Sequence, residues 1–362
     1  MDIRHHLAHH DPGDSPLVTE SAVVTGRDPL DRNRTEEVIA TLDAVLLTHG
    51  TAAYADDTPD DPEERRHWLR DRLDARDHVE EAGGMDRYLP DAARDAAAGE
   101  AVRSLQARYL RPYPSLLSLS VDPAEPIAFD PGQYLSLRYQ DVTRPYSIAS
   151  PVGDDTLEFC IRRVPGGRLT PTLIDQLVPD TELTVRGPYG ELTLQESSTR
   201  DVVFLATGTG VAPFRSMILS LFAAGEDVVD DVTRDVWLFL GARWADDLPY
   251  HAAFADLAED RENFHYVPTL SRESLLTDWG GETAYVQYVL ANHVDPTSIK
   301  GSLPEAFADA LESDPVASVD ERLDPEEMDV YACGVTAMVT SLVDAVEALG
   351  VPEERTEFEA FG

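Results

Sequence analysis

Hydrophobic positions along the chain fall into three textures. In the first, residues 35–48 place Val38, Ile39, Leu42, Val45 and Leu46 at helical spacing behind Thr35. Residues 62–80 follow Asp61, a natural N-cap, and Pro62 in the first turn, with Trp68, Leu69, Leu73 and Val79 on one side. Residues 91–106 are Ala-rich around Val102 and Leu105, after a break from Gly83 to Pro90. Before these helices, residues 1–30 hold no sustained period and read as a flexible N-terminus. Residues 31–100 read as a helical extension of unassigned role.

The second texture begins near residue 101. Short apolar runs separated by turn residues appear at Leu116–Val121, Tyr134–Tyr139, Leu157–Val164, Glu182–Arg186 and Leu192–Leu194. Strands at this spacing predict an antiparallel barrel over 101–198. From residue 199 the third texture alternates strand and helix. Strands are expected at Asp201–Ala206, Asp235–Leu240, Phe264–Pro268 and Asp329–Ala332. Helices are expected at Val211–Phe222 and near 248–259, 281–292, 303–312 and 335–349. That alternation predicts a doubly wound parallel sheet over 199–362, with 294–328 as an enlarged acidic loop.

Charge narrows the function. Against 68 Asp and Glu stand 29 Lys and Arg, a formal charge of −39 in 362 residues. Phosphate-backbone affinity needs a basic patch, so nucleic acid is excluded as a partner. Lys300 is the one lysine. So acidic and lysine-poor a surface suits a halophilic, very salty cytoplasm, where the Debye length falls to about 3 Å at 1 M salt. No run of about 20 apolar residues offers a membrane span. Met1-Asp2-Ile3-Arg4-His5-His6 lacks the apolar core of a signal peptide, and Cys160 and Cys333 cannot build a disulfide framework or a four-Cys cluster. A cytoplasmic protein is expected. No metal site is expected: His5, His6, His9 and His10 lie in a terminus with nothing to rigidify a ligand set.

Three motifs carry chemistry. Arg144-Pro145-Tyr146-Ser147-Ile148-Ala149-Ser150 follows the turn Pro131-Gly132-Gln133-Tyr134. Strand alternation puts Arg144, Tyr146 and Ile148 on one face, an arrangement for a phosphate and a flat ring as well as for a plain solvated face. Val164-Pro165-Gly166-Gly167-Arg168-Leu169-Thr170 enters a short helix and is either an anion cradle or an ordinary capped loop. Thr207-Gly208-Thr209-Gly210-Val211-Ala212-Pro213 joins a buried strand to a helix, where glycine admits close approach of a pyrophosphate.

In this order the motifs resemble the ferredoxin–NADP reductase family of flavoproteins, over about 105–362. Gly187-Pro188-Tyr189-Gly190 is similar to that family's barrel-closing turn, and Tyr331-Ala332-Cys333-Gly334 to its nicotinamide-side motif. The resemblance implies a Greek-key FAD-binding barrel followed by an NADP-binding domain. Arg144, with Gly167, Arg168, Leu169 and Thr170, would hold the flavin pyrophosphate. Pro145 belongs to the same flavin signature, in which Tyr146 would stack on the flavin and Ser147 would lie near N5. Thr207, Gly208, Thr209, Gly210, Val211, Ala212 and Pro213 would cradle the pyridine-nucleotide pyrophosphate. Cys333 would sit near nicotinamide C4, with Gly334 permitting close approach.

The resemblance also bears on nucleotide choice. Ser271-Arg272 after the third strand would bind a 2′-phosphate, and Tyr285 with Gln287 would contact the adenosine, so NADPH is expected. Where chloroplast-type members carry a Lys, Thr283 and Ala284 stand. At the C-terminus, Ala360 or Phe361 would cover the flavin or its adenine, and Glu357 or Glu359 would supply a carboxylate beside N5. The alternative there is a frayed polar tail. The implied activity is electron transfer from NADPH through FAD to a one-electron carrier such as ferredoxin, with Ser147, Cys333 and Glu359 shaping the hydride contact. Two other readings stand beside it. One is the reductase component of an oxygenase system. The other is a non-catalytic flavin-binding regulatory or assembly subunit docking through residues 1–100.

Overall fold

The structure is a computed structural model. It describes residues 17–50, 58–75, 84–195, 198–276, 279–301, 303–317, 319 and 321–361. The four N-terminal histidines and the stretch 76–80 of the second expected helix lie outside the described residues. Two compact units emerge. One holds the chain up to Asp31, Leu116–Arg272 and Gly280 onward. The other holds Arg32–Ser115 with Glu273–Trp279.

The first element among the described residues is a strand, β1 (Val18–Pro29), within the 1–30 stretch expected to be a flexible terminus. The reason is visible in its burial: only Ala22 and Val24 point fully inward, so the strand carries too few apolar residues to show a period. A bulge at Gly26 interrupts the alternation further, where a Cβ would meet Ser120 Cβ at 3.2 Å.

After β1 the chain leaves for the helical unit. It comprises α1 (Thr35–His49), α2 (Pro62–Asp74), a single turn α3 (Asp91–Arg94) and α4 (Ala97–Tyr109). The Asp61 carboxylate caps α2, accepting from the Glu63 and Glu64 amides at 2.9 and 3.0 Å. The expected helix over 91–106 is split at Asp95–Ala96 and runs on to Tyr109. Val38, Ile39, Leu42, Leu69, Leu73 and Leu105 form this unit's core. It is therefore an insertion between two barrel strands and not an N-terminal extension. It ends at Ser115 rather than at residue 100, so the barrel resumes at 116 and not at 101.

The chain rejoins the barrel as β2 (Leu116–Pro123), followed by β3 (Tyr134–Tyr139), β4 (Val142–Ser147), β5 (Leu157–Arg162) and β6 (Glu182–Tyr189). The six antiparallel strands lie in the order β4-β3-β6-β1-β2-β5. A bridge between Ile148 and Phe159, with the Ala149 amide donating to the Glu158 carbonyl at 2.7 Å, joins the two ends of the sheet. Its interior is apolar, centred on Leu119, Leu135, Ile148, Phe159 and Val185. A short helix α5 (Thr170–Asp175) follows β5. Leu192–Leu194, expected as a strand, forms no strand. Leu192 is nonetheless buried, and its carbonyl closes over Gly132 so tightly that a Cβ there would come within 2.1 Å. The apolar run marks packing instead of pairing.

The second large sheet is parallel and five-stranded. It comprises β7 (Asp201–Thr207), β10 (Val236–Ala242), β11 (Phe264–Leu270), β12 (Met328–Val335) and β13 (Thr356–Phe361). A small hairpin, β8 (Val228–Val229) with β9 (Val232–Thr233), precedes β10. Helices α6 (Val211–Ala224) and α7 (His251–Asp260) follow β7 and β10. Helices α8 (Val286–His293), α9 (Glu305–Leu311) and α10 (Thr336–Leu349) come later. Strand alternation divides the core between the two faces. Val203, Leu205, Trp237 and Phe239 pack with α8 and α10, while Phe204 meets Phe214 of α6 at 4.9 Å between ring centroids. The C-terminus is this sheet's edge strand and not a frayed tail, because Thr356 and Phe358 alternate inward with Glu357 and Glu359 between them.

Because β1 lies between β6 and β2, a charge inside it should break the barrel. Val24→Asp is expected to lower unfolding free energy by about 3 kcal/mol or more, from burying an unpaired carboxylate. Thr25→Asp, on an exposed position, should stay within about 0.5 kcal/mol. Equal denaturant midpoints for the two variants would remove β1 from the barrel.

Candidate active site

The strand order of the parallel sheet reverses at β7, with β10 on one side and β12 on the other. In open α/β sheets, ligands bind at the carboxyl ends of the strands flanking such a switch point. Here the loop Gly208–Gly210 leaves β7 and turns into α6, with Gly208 at φ +50°. A Cβ on Gly210 would stand 2.3 Å from the Cys333 carbonyl oxygen and 2.9 Å from the Gly334 amide. A Cβ on Gly334 would stand 2.9 Å from Thr207 Oγ1. The ends of β7 and β12 thus touch backbone to backbone, and the expected residues Thr207, Gly208, Gly210, Cys333 and Gly334 share one place. Thr209 lies in the same loop, and Val211, Ala212 and Pro213 open α6, whose N-terminus no side chain caps. Its backbone suits an anion.

Cys333 is fully buried, and that burial, reinforced by Glu359, holds its thiol well above its ordinary range. It stays a neutral, close-packed sulfur. Glu359 lies opposite it in the β12–β13 register, and burial pushes the Glu359 carboxyl up to about 7. Glu357, the other C-terminal candidate, accepts from Gln195 Nε2 at 2.5 Å. Phe361 pairs with Val335 and is exposed.

Across from this sheet stands the barrel's β3–β4 edge. Tyr134 lies opposite Ser147 on β4 and opposite Tyr189 on β6, with the two tyrosine rings 5.6 Å apart. Burial raises the Tyr134 hydroxyl to about 12, and the Glu359 carboxylate adds to the rise, so the two groups feel one another. Tyr134 and Tyr189, to which the motifs around them give no role, thus lie at the barrel edge that faces Glu359. Tyr146 is half-buried against the barrel core, with its hydroxyl raised by burial to about 12, and Ile148 is fully buried. Arg144 and Pro145 are exposed, so the three side chains expected on one face do not share one environment.

The Val164–Thr170 loop is organised by its own chain. The Val164 amide donates to Thr170 Oγ1 at 2.8 Å and the Gly167 amide to the Val164 carbonyl at 2.9 Å. Leu169 is buried and Arg168 exposed. Ser271 and Arg272 follow β11, where their amides donate to the Ala242 and Arg243 carbonyls, each at 3.0 Å. This register brings an unexpected cation, the exposed Arg243, beside Arg272. Its only signal in sequence was its place just past the end of β10. Tyr285 precedes α8 with 59% of its surface exposed, and Gln287 is half-buried in the helix's first turn.

One further arginine was missed. Arg162, at the end of β5, has its guanidinium 3.4 Å from where a Gly208 Cβ would be, and pairs with Asp247 at 3.4 Å. It joins the barrel to the Gly208–Gly210 loop. Arg215 of α6 reinforces that junction, donating to the Ala149 carbonyl at 2.7 Å and pairing with Glu158 at 2.9 Å.

Residues 114–194 match the oxidoreductase FAD-binding domain family and 204–344 the oxidoreductase NAD-binding domain family. The chain thus carries an oxidoreductase FAD-binding domain and an oxidoreductase NAD-binding domain. It is 29% identical to ferredoxin–NADP reductase B of Sorangium cellulosum, over 72% of this chain and 96% of that protein. It is 32% identical to the phenol hydroxylase P5 protein of Acinetobacter pittii, over 50% of this chain and 51% of that one. A solved ferredoxin reductase in carbazole 1,9a-dioxygenase shares the fold, with a TM-score of 0.59 at 18% identity, covering 97% of this chain and 71% of that one. The chain spans little more than half the length of several curated relatives it matches. Among the described residues, no helix is long and apolar enough to cross a membrane.

The residues of these two domains fit a flavin and a pyridine nucleotide. The fit rests on the glycine contacts at β7 and β12 and on cations left free. Among the described residues, Arg144, Arg168, Arg243 and Arg272 hold no carboxylate partner, although acids outnumber bases by more than two to one.

Two outcomes are expected. Gly210→Ala should raise the Michaelis constant for nucleotide at least about tenfold, because the loop must move off β12 to admit the methyl group. An unchanged constant in steady-state kinetics would show that the loop need not rest there. Glu359 binds its proton more tightly folded than unfolded, since the unfolded value is about 4.3. Stability from this group is therefore fullest below about pH 4 and declines as pH rises through 7. Glu359→Gln should flatten the pH 5–8 slope of the denaturant midpoint, and an identical slope in the variant would count against the assignment.

Proposed function

We propose that the chain is a cytoplasmic flavoprotein reductase that takes electrons from NADPH and delivers them singly to a small carrier such as a ferredoxin. The observation that carries this reading is the backbone contact of Gly210 with Cys333 and Gly334, facing the barrel edge that holds Ser147 and Tyr134. When bound, FAD supplies the chemistry, accepting a hydride and releasing single electrons. The protein's contribution is alignment and electrostatics. Arg144 and Arg168 offer charge to a pyrophosphate, and Tyr146 and Tyr134 offer rings to a flat heterocycle. Ser147 offers a hydroxyl at the barrel edge. Cys333, neutral and without water around it, shapes the far wall. Glu359 can hold a proton near neutral pH at the same wall, where a carboxyl with so raised a value exchanges it readily.

NADPH is favoured over NADH by the pair Arg272 and Arg243 at the ends of β11 and β10, both exposed and, among the described residues, both without a carboxylate partner. A guanidinium forks onto a phosphate dianion. The free, buried thiols of Cys160 and Cys333 agree with a reducing compartment. The curated relatives also include a reductase component of a propane 2-monooxygenase of Rhodococcus jostii, so the carrier's role in an oxygenase system is the second reading.

Anaerobic titration tests the proposal. The purified yellow protein should bleach with NADPH at lower concentrations than with NADH. Arg272→Ala should raise the NADPH requirement about tenfold or more and leave NADH nearly unchanged. A spectrum that NADPH leaves flat would instead mark a regulatory flavin-binding subunit. Equal effects of Arg272→Ala on both nucleotides would reject the 2′-phosphate assignment.

A further inference from the structure

The short stretch from Glu282 to Tyr285 is pinned on two sides. On one side it lies along the end of β11. There the Leu270 amide donates to the Glu282 carbonyl at 3.0 Å, and Thr269 Oγ1 donates to the Ala284 carbonyl. A bridge pairs Thr269 with Glu282. On the other side the Glu282 side chain turns into the enlarged loop 294–328. One carboxylate oxygen, Oε1, accepts from the Val316 amide at 2.7 Å and from the Ala317 amide at 3.0 Å, and Glu282 is only 4% exposed. Ala284 and Ala317 pack against the same core. All these residues belong to one compact unit. Tyr285 comes next, and its carbonyl accepts from the Tyr288 and Val289 amides at 2.9 and 3.1 Å as α8 begins. Val286 reaches the strand ends at the switch point. A Cβ on Gly241 would meet Val286 Cγ2 at 2.6 Å and Thr207 Cγ2 at 2.8 Å. The Tyr285 ring itself is exposed, and among the described residues no hydrogen bond or ring contact holds it. Its direction is therefore set by the backbone on either side.

We propose that Glu282 is a positioning residue for the adenosine of the nucleotide, and that the 294–328 loop acts through it to hold Tyr285 where the adenine stacks. The inference rests on the pyridine-nucleotide reading above and deepens it. A buried carboxylate oxygen that accepts two backbone N–H groups fixes its own side chain, because those bonds are short and directional. With its carbonyl bonded to β11 and its side chain bonded to the loop, Glu282 has no freedom to swing. The backbone that leads into Tyr285 is then set before the nucleotide arrives. An exposed ring so presented costs less to order on meeting a base, which is the general benefit of preorganisation. Removing the Glu282 side chain unties the loop from the segment, and Tyr285 must then be ordered at the expense of binding.

The test uses the full-length flavoprotein. Two adenosine probes, 5′-AMP and 2′,5′-ADP, are titrated calorimetrically, and NADPH oxidation is followed in steady state. Tyr285→Ala should weaken both probes about tenfold, the scale of base–aromatic stacking. Glu282→Ala should weaken both by a similar factor and raise the Michaelis constant for NADPH to match, with kcat within about twofold. Glu282→Gln, which keeps an oxygen at the accepting position, should recover most of the affinity. The double variant should lose no more than Tyr285→Ala alone, since one residue acts through the other. If Glu282→Ala does not fold, Val316→Pro at an exposed position removes one of the two donors and must show a smaller loss on both probes. Probe binding unaltered by Glu282→Ala or by Tyr285→Ala, a fall in kcat at an unchanged Michaelis constant, or additive losses in the double variant would overturn the proposal and leave the nucleotide reading intact. Failure of the unsubstituted protein to bind either probe would overturn the nucleotide reading itself.

Discussion

The site depends on the barrel being clamped to the nucleotide sheet through Arg215. This arginine sits in the first turns of α6, directly behind the glycine loop. It reaches the Ala149 carbonyl and the Glu158 carboxylate of the barrel, while its guanidinium lies 4.5 Å from the Tyr250 ring centroid. The Val152 amide adds a second bond to Ser220 of the same helix, at 2.9 Å. The helix that presents the nucleotide loop is therefore the element the barrel holds. Half-buried charge pairs are strong when geometry is fixed from both sides, as it is here, and weak when long side chains must be ordered for the purpose. With Arg162 and the Val152–Ser220 bond, this clamp sets the barrel edge carrying Ser147 and Tyr134 in relation to Cys333 and Glu359.

Two rigid backbones meet at this junction, so the chemistry needs few side chains. Glycines let β7 and β12 touch, and the residues around them are neutral or nearly so. Cys333 is held protonated by burial, Tyr134 likewise, and Glu359 is poised near 7. The cations lie at the periphery, at Arg144, Arg168, Arg243 and Arg272. Charge is thus placed where the proposed cofactors would present anionic groups, and the centre is left low in charge, where electrostatic effects of a proton or electron are largest.

Much of this was legible in sequence where a local rule governs. The nucleotide loop declares itself because a buried strand, a Gly-x-Gly and a helix must follow in that order. Ser271-Arg272 declares itself by position after the third strand. What stayed hidden was decided by partners distant in the chain. β1 holds only Ala22 and Val24 fully inside, and its membership of the barrel is set by β6 and β2, more than 80 residues away. The edge strand β13 spans six residues with two acids, indistinguishable from a tail until β12 lies beside it. Arg162 and Arg243 carry no motif at all. Tyr134 was quoted as part of a turn, and its role comes from pairing with strands on both sides. The alternation that placed Arg144 with Tyr146 and Ile148 assumed a regular strand, whereas β4 ends at Ser147, next to the closing bridge.

The doorway through which the helices enter the barrel bears on how such a chain could arise. Pro29 and Leu117 face each other across the β1–β2 ladder, and the Leu30 amide bonds the Leu116 carbonyl at 2.9 Å. An excursion of more than 80 residues therefore leaves and returns at neighbouring points, where two antiparallel strands could otherwise be joined by a short turn. Closing a longer loop costs only slowly more entropy, so a foreign segment spliced at this doorway need not disturb the strands that frame it.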